Sequence, residues 1–347
     1  MTRVGLMTRA CCCCGRREDV ARRDARLPCR ATSYGAARGI VGGRCFPDAV
    51  SEVIIPSGPY RLQASAEFGF GQRHAQVFDG AMRMAFALDG SFASVAVAVR
   101  QAVDDGPVEV DVIGSADTAR VVAQTARVLS LDHDATSYPE VGERDPVVGR
   151  LMALRPGLRP PLFHSPYEAA AWSILSARRP ARQMAVVRDR LAAEHGRVFE
   201  VAGGQVAAFP APEALLAVHN VPGVPETTID RLHAVGRAAA EGLLDVQRLR
   251  ALDPEEAHVQ LQSLPGIGPF YASLIVLRAV GVTDVPVTVE PRALELMGRL
   301  YDLGRPATPA EVEQVGRPWR PWRTWTTVLL RAAGPELVAA QERLSTG

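Results

Sequence analysis

The chain contains no lysine; all 39 of its Lys/Arg-type cations are arginine. No side-chain amine is therefore available to form a Schiff base. Cysteine is confined to the opening segment, as Cys11, Cys12, Cys13, Cys14, Cys29 and Cys45, so everything after residue 45 lacks a thiol. A thiolate-ligated iron–sulfur cluster needs about four cysteines and is excluded from that part. Long apolar runs are also missing. None approaches the roughly 20 residues that cross a bilayer, and the N-terminus has arginines without the continuous apolar stretch of a secretory signal. No membrane partner is expected, and the expected location is the cytoplasm.

The near-neutral total conceals a segregation of charge. Residues 1–45 hold ten arginines and three acids, a net of +7, which leaves −6 on the other 302 residues of a chain whose total is +1. Four adjacent cysteines do not match the spaced pairs of a zinc site or a disulfide framework. A metal tract, a disordered leader and translation begun upstream of the true start are the alternatives for this segment. Residues 1–50 are read as a disordered or non-native tail. With 47% hydrophobic and 22% charged residues, the chain as a whole has the make-up of a folded globular protein. A body this acidic must hold any polyanion with a local patch or with backbone amides, not with a broadly basic surface.

Residues 51–145 are expected to form an α+β domain. Short β-rich runs fall at 53–55, 77–78, 82–88, 93–99 and 108–112, with Asp89-Gly90 as a hairpin turn, and a helix is predicted over 116–129. Strands followed by a helix suggest a small antiparallel sheet packed on one face. Residues 155–161, rich in proline, read as a crossover. From 146 to 347 the pattern is helical, and helices are predicted at 166–177, 181–195, 212–218, 227–241, 245–252, 254–264, 269–280, 291–301, 309–314, 322–333 and 335–344. Proline opens many of them, as its fixed φ and missing N–H favour at the first helical position. The fold class is therefore α+β, a small sheet-and-helix domain followed by an all-α body.

Leu264-Pro265-Gly266-Ile267-Gly268 stands between two of these helices, and the second starts immediately, at Pro269. The glycines permit a tight turn and close approach of a partner. The free N–H groups of the second helix and its positive dipole end lie beside the glycine amides, which makes a phosphate site built of backbone and indifferent to base sequence. An ordinary helical hairpin with a glycine cap has the same five residues. The context favours the anion site: Ile267 suits an apolar tip, Leu274, Ile275 and Leu277 supply a buried face, and an acid follows about twenty positions on.

The stretch 264–301 resembles the helix–hairpin–helix, Gly/Pro-rich loop and acidic residue of the DNA glycosylase superfamily, most of all the bacterial DNA-3-methyladenine glycosylase II group. The run Arg150 to Pro161, followed by Tyr167 to Leu175, resembles that group's entry to its helical domain. Arg317-Pro318-Trp319-Arg320-Pro321-Trp322-Arg323-Thr324-Trp325 is similar to its C-terminal signature, and the β-rich first part to its N-terminal domain. The resemblance covers nearly everything after about residue 50. It implies an enzyme of base-excision repair that flips an alkylated, 3-methyladenine-like base out of duplex DNA and hydrolyses its N-glycosidic bond. It implies damaged double-stranded DNA as partner, a monomer, location at the nucleoid and no cofactor beyond a structural monovalent cation at the hairpin.

Carried over residue by residue, the resemblance places DNA contacts at Gly266, Ile267, Gly268, Pro269, Arg178 and Arg323, with Arg320 beside it. Arg178 matches the side chain that fills the gap left by the flipped base; a solvated loop arginine is its plain alternative. Trp319, Trp322 and Trp325 read equally well as core. The cation would be held by the carbonyls of Gln262, Leu264 and Ile267. The carboxylate nearest the family's aspartate is Glu290; a register shifted by two would put Thr288 there and leave no carboxylate. Such a carboxylate must sit near the anomeric carbon, where positive charge develops. Glutamate reaches roughly 1 Å further than aspartate unless the backbone retreats, a displacement that can cost about a hundredfold in rate. Glu290 alone also reads as an acid favoured at a helix N-terminus. The base pocket is assigned to Phe270, Leu274 and Arg331. Phe270 stands where the lyase-active branch has a lysine, which implies a glycosylase without strand cleavage. Leu274 and Arg331 stand where the 3-methyladenine group has a tyrosine and a tryptophan, and a less aromatic pocket stacks a cationic base less well. The alternative function is a non-catalytic protein that binds distorted or damaged DNA.

Overall fold

The computed structural model describes residues 50–68 and 78–345; the tail read over residues 1–50 and all six cysteines fall almost entirely outside the described residues. The first part runs β1 (Val50–Ile54), α1 (Leu62–Phe68), β2 (Met82–Ala87), β3 (Ser94–Gln101), β4 (Val108–Ile113) and α2 (Thr118–Val128). The four strands form one antiparallel sheet in the order β1-β4-β3-β2. Asp89-Gly90 does turn the chain between β2 and β3, closed by the Leu88 N–H on the Ala93 carbonyl at 2.9 Å. Of the run expected over 77–78, Val77 lies outside the described residues; Phe78 is not in a strand and packs against the sheet core.

The body continues with α3 (Glu140–Arg144), α4 (Pro146–Leu154), α5 (Pro166–Ser176), α6 (Ala181–His195), β5 (Arg197–Val201), β6 (Gly204–Ala208), α7 (Pro212–Leu216), α8 (Glu226–Ala240), α9 (Val246–Ala251) and α10 (Pro254–Gln262). There follow α11 (Pro269–Ile275), which runs on into a π turn at Val276–Val280, then α12 (Pro291–Leu300), α13 (Pro309–Val315), a 3₁₀ turn at Arg317–Trp319 and α14 (Arg323–Ser345). Among the described residues no helix is long and apolar enough to cross a membrane.

Three expectations need correction. First, the body is not all-α, because β5 and β6 form an antiparallel hairpin. It packs on the sheet face that the helices leave open. Along β3, Val95, Val97 and Val99 fill the helix-side core, while Ala96 and Ala98 face the other way and meet Phe199, Val201 and Ala208. The small alanines let the second layer approach, and the sheet is covered on both faces. Second, helix α1 forms where none was predicted, its amide at Leu62 held by Gln101 Oε1 at 2.8 Å. Third, α14 passes straight through Pro335, where two helices were expected. Ala333, Leu337 and Val338 bury on either side of the proline in a core shared with α4 and α12, and this packing overrides the local helix-breaking tendency.

The helical body has two cores. One gathers α5, α6, α8, α10 and α11; the other gathers α3, α4, α12 and α14 around Trp319, Trp322 and Trp325, all at least 95% buried. Buried arginines join these layers. Arg127 on α2 reaches Asp89 at 2.5 Å, the His164 carbonyl at 2.7 Å and the Ala279 carbonyl at 2.6 Å. Arg159, 1% exposed, donates to the carbonyls of Ser57, Gly58, Pro59, Ser130 and His133. Burial pushes its pKa down to about 10, which leaves it charged at neutral pH. Only a guanidinium carries enough donors in one plane for such a set.

Candidate active-site cleft

A cleft of about 1130 Å³ opens between the two helical cores and is bordered by α1. Its walls come from distant parts of the chain. Trp172 and Ser176 project from α5, Phe270, Tyr271 and Leu274 from α11, and Arg331 from α14. Trp172 is 5% exposed, whereas Phe270 is 40% exposed, so one aromatic face is fixed and the other stands at the mouth. Phe270 and Tyr271 meet edge to face with centroids 5.2 Å apart.

Glu290 lines this cleft, and Thr288 is not among the lining residues. The backbone before it leaves α11 through Gly281, at φ +87°, and returns to start α12 with Pro291 at the first helical position. Glu290 is the N-cap. Its Oε2 accepts the Ala293 N–H at 2.7 Å, and Oε1 accepts the Arg292 N–H at 3.4 Å. The extra methylene of glutamate is thus taken up by folding the side chain back onto its own helix, where it caps the free amides. Arg331 Nε stands 3.2 Å from Oε2 in an ion pair, the two side chains 32% and 24% exposed. Oε1 is the less engaged oxygen. Arg331, assigned from the sequence to the base pocket, lines the cleft and is also the counter-ion of the carboxylate.

The hairpin leads directly into α11, whose first turn lines the cleft. An Asp253 capping box starts α10, and His258 Nε2 donates to the Pro269 carbonyl at 2.9 Å, tying α10 to the start of α11. Gly266 has φ +91°, the left-handed region that favours glycine, and a Cβ there would come within 2.9 Å of Ile174 Cδ1 and of Arg231 Cδ. Gly268 differs: its φ of −92° suits any residue, and a Cβ would point into open space. Its smallness therefore leaves room for something outside the chain. The amides of Gly266 and Gly268 donate to no group among the described residues, whereas the Ile267 amide donates to the Leu264 carbonyl at 3.0 Å. Ile267 is 4% exposed and packs with the helical core. It anchors the loop from beneath instead of presenting itself to a ligand. Pro269 opens α11 and removes one donor from that helix end.

Two other expected contacts part company. Arg178 is exposed in the turn between α5 and α6 with φ +56°, a strained conformation for a side-chain-bearing residue, and follows closely on cleft-lining Ser176. Arg323 is not available to a phosphate. It is 7% exposed, its Nε bonds Asp284 Oδ1 at 2.7 Å, and its terminal nitrogens reach the Asp284 carbonyl and Glu313. Arg320 pairs with the same aspartate at 3.7 Å. The two arginines brace the loop before α12 against α14, which sets where Glu290 stands. Among the described residues the carbonyl of Gln262 accepts no hydrogen bond from outside its helix, that of Ile267 accepts none, and that of Leu264 accepts one.

Sequence reasoning missed Trp172 and Tyr271 as cleft residues. Tyr271 adjoins Phe270, and an aromatic pair at the head of the second helix was the available signal. Trp172 gave none, because its distance from Leu274 depends on how α5 packs on α11.

Comparison with known proteins fits this geometry. No family model matches the chain. Over 172 residues it is 28% identical to the probable bifunctional transcriptional activator/DNA repair enzyme AlkA of Mycobacterium tuberculosis, covering 48% of this chain and 34% of that protein. Over 175 residues it is 29% identical to DNA-3-methyladenine glycosylase 2 of Escherichia coli, covering 49% of this chain and 60% of that one. The matches thus span between a third and three-fifths of the curated relatives' length. Among solved structures, the 3-methyladenine DNA glycosylase of Archaeoglobus fulgidus superposes with a TM-score of 0.65 at 21% identity, over 80% of this chain and 97% of that one.

Proposed function

We propose that this chain, a sequence relative of AlkA-type proteins with the fold of the helix–hairpin–helix DNA glycosylases, is itself a monofunctional DNA N-glycosylase for alkylated bases in duplex DNA. The observation that carries the reading is the placement of the Glu290 carboxylate in an aromatic-walled cleft lined by α11, the helix that the hairpin with its unpartnered amides opens. The amides of Gly266 and Gly268, with the start of α11, hold a phosphate of one strand. Arg178, held out of the α5–α6 turn, occupies the space vacated by the flipped nucleotide. The base enters the cleft between Trp172 and the Phe270–Tyr271 pair, faces suited to stacking.

As the C1′–N bond lengthens, positive charge grows on the sugar. Glu290 opposes it electrostatically, with Oε1 the oxygen left to face the sugar or a water. Arg331 and the α12 amides hold the carboxylate in place. With no lysine in the chain, the reaction ends at the abasic site without strand cleavage by Schiff-base chemistry. The protein works as a monomer in the cytoplasm, at the nucleoid, and needs no catalytic cofactor. The carbonyls of Gln262, Leu264 and Ile267 would hold a structural monovalent cation that draws a phosphate towards the hairpin.

Single-turnover excision from duplexes carrying an N-alkylated purine tests the reading. Glu290→Gln should lower the rate by about a hundredfold or more while DNA affinity is retained. The engagement of Oε2 by both Ala293 and Arg331 is what favours the second reading, a protein that binds damaged DNA without cutting it. Retained binding with no excision by wild type would select that reading.

A further inference from the structure

Arg178 stands exposed in the α5–α6 turn at φ +56°, and its side chain makes no hydrogen bond or ion pair among the described residues. A residue with a Cβ keeps that conformation only where its surroundings impose it. The imposing contacts come from the next residue. The Arg179 N–H donates to the Ser176 carbonyl at 3.1 Å and closes a tight turn over Ala177 and Arg178. Its guanidinium then spans two further elements. One terminal nitrogen donates to the Gly223 carbonyl at 2.9 Å, in the loop before α8, and the other meets Met184 Sδ, in the first turn of α6, at 3.4 Å. Both anchors are fixed. Met184 is buried in the first helical core. The loop that offers Gly223 is closed by the Val224 N–H on the Val221 carbonyl at 3.0 Å, and Val221 and Ile229 on either side of it are buried in that same core. Arg179 thus ties the end of α5, the start of α6 and the loop before α8 at one point.

Resting on the glycosylase reading, in which Arg178 enters the space of the flipped nucleotide, we propose that Arg179 is a positioning residue for base flipping. It fastens the turn so that Arg178 is already projected before DNA arrives. Without the tie the turn relaxes towards negative φ at Arg178. The projected form must then be ordered during binding, which is unfavourable to the flipped state. With both terminal nitrogens engaged, Arg179 acts through Arg178 and is not a second arginine offered to DNA. The demand on the wedge depends on the substrate. A damaged base that is stacked and paired must be driven out of the duplex, whereas a base with no partner opposite leaves the stack at lower cost. Arg179 therefore matters most where the lesion is fully paired.

The test compares single-turnover release of 7-methylguanine by the full chain from two duplexes, one with cytosine opposite the lesion and one with an abasic-site analogue there. The quantity read is the ratio of the two rates, paired over unpaired. Arg179→Gln should lower that ratio about tenfold. Arg179→Lys, which keeps a donor and the charge, should lower it less. Arg178→Ala should lower it as well. The deciding measurement is the double variant: because Arg179 acts through Arg178, Arg178→Ala with Arg179→Gln should fall no further than Arg178→Ala alone. Thermal melting reports whether each variant folds, and Arg179→Lys takes the place of Arg179→Gln in the same cycle if the latter does not. A wild-type ratio in Arg178→Ala or in Arg179→Gln, or losses that multiply in the double variant, overturns the proposal and leaves the glycosylase reading standing. A wild type that releases the base from neither duplex overturns both.

Discussion

At the scale of single residues, the two hairpin glycines separate stability from binding. Gly266 is required by the backbone: at φ +91° an alanine costs about 1–2 kcal/mol, and its Cβ would press on Ile174. Gly268 has ordinary φ and open space around its missing Cβ. Gly268→Ala should therefore leave the melting temperature unchanged yet weaken DNA binding, because the methyl stands where a phosphate approaches the amides. Gly266→Ala should lower both. Calorimetry beside a binding titration checks the pair, and unchanged affinity in Gly268→Ala would mean that the hairpin does not grip DNA. Glu290 shows the complementary lesson. The sequence shows an acid one methylene too long; the structure shows where the methylene goes, onto the α12 amides and Arg331.

At the scale of elements, Asp145 fixes the second helical core. Its Oδ1 caps α4 through the Val147 N–H at 2.9 Å, and its Oδ2 accepts from the Tyr301 hydroxyl at 2.7 Å and from Trp319 Nε1 at 2.8 Å. One buried carboxylate thereby joins the start of α4, the end of α12 and the turn before α14. Asp145→Ala removes a cap and leaves two donors without their partner. The expected loss is on the order of 3 kcal/mol, measured by denaturant unfolding. Burial and the hydrogen bond to Asp145 both push the Tyr301 phenol well above its ordinary pKa, so it remains a donor throughout the accessible range. Elements also explain two sequence-level errors. Gly203-Gly204 between alternating apolar residues was a legible hairpin signal, and Ala202 and Gly203 do take positive φ there. The unbroken run of α14 through Pro335 was not legible, since only burial against α12 and α4 sustains it.

At the scale of the whole molecule, buried arginines do the joining that apolar contact alone leaves undone. Arg159 connects the loop before α1, the end of α2 and the crossover, with Tyr60 and Trp325 ring centroids 5.7 and 5.8 Å from its guanidinium. Lysine in its place offers three donors to five carbonyls and no planar face. Arg159→Lys should cost about 3–5 kcal/mol and loosen the sheet layer relative to the helices, which hydrogen exchange at residues 57–60 and 130–133 would localise. A loss within 0.5 kcal/mol would show that the layers are held by their apolar cores alone.

The sequence by itself determined the first sheet, most of the helices, the hairpin with its glycine at positive φ, the proline-opened helices and the acid at Glu290, because these rest on local backbone geometry and apolar period. It also settled that no lysine serves catalysis. Only the tertiary structure decided which side chains meet. Arg331 and Glu290 are 41 positions apart in sequence and 3.2 Å apart in the cleft. Arg323, a plausible phosphate ligand by its neighbours in sequence, is spent on Asp284. A guanidinium reads the same whether it faces a phosphate, a carboxylate or five buried carbonyls, and only the packing of its helix says which.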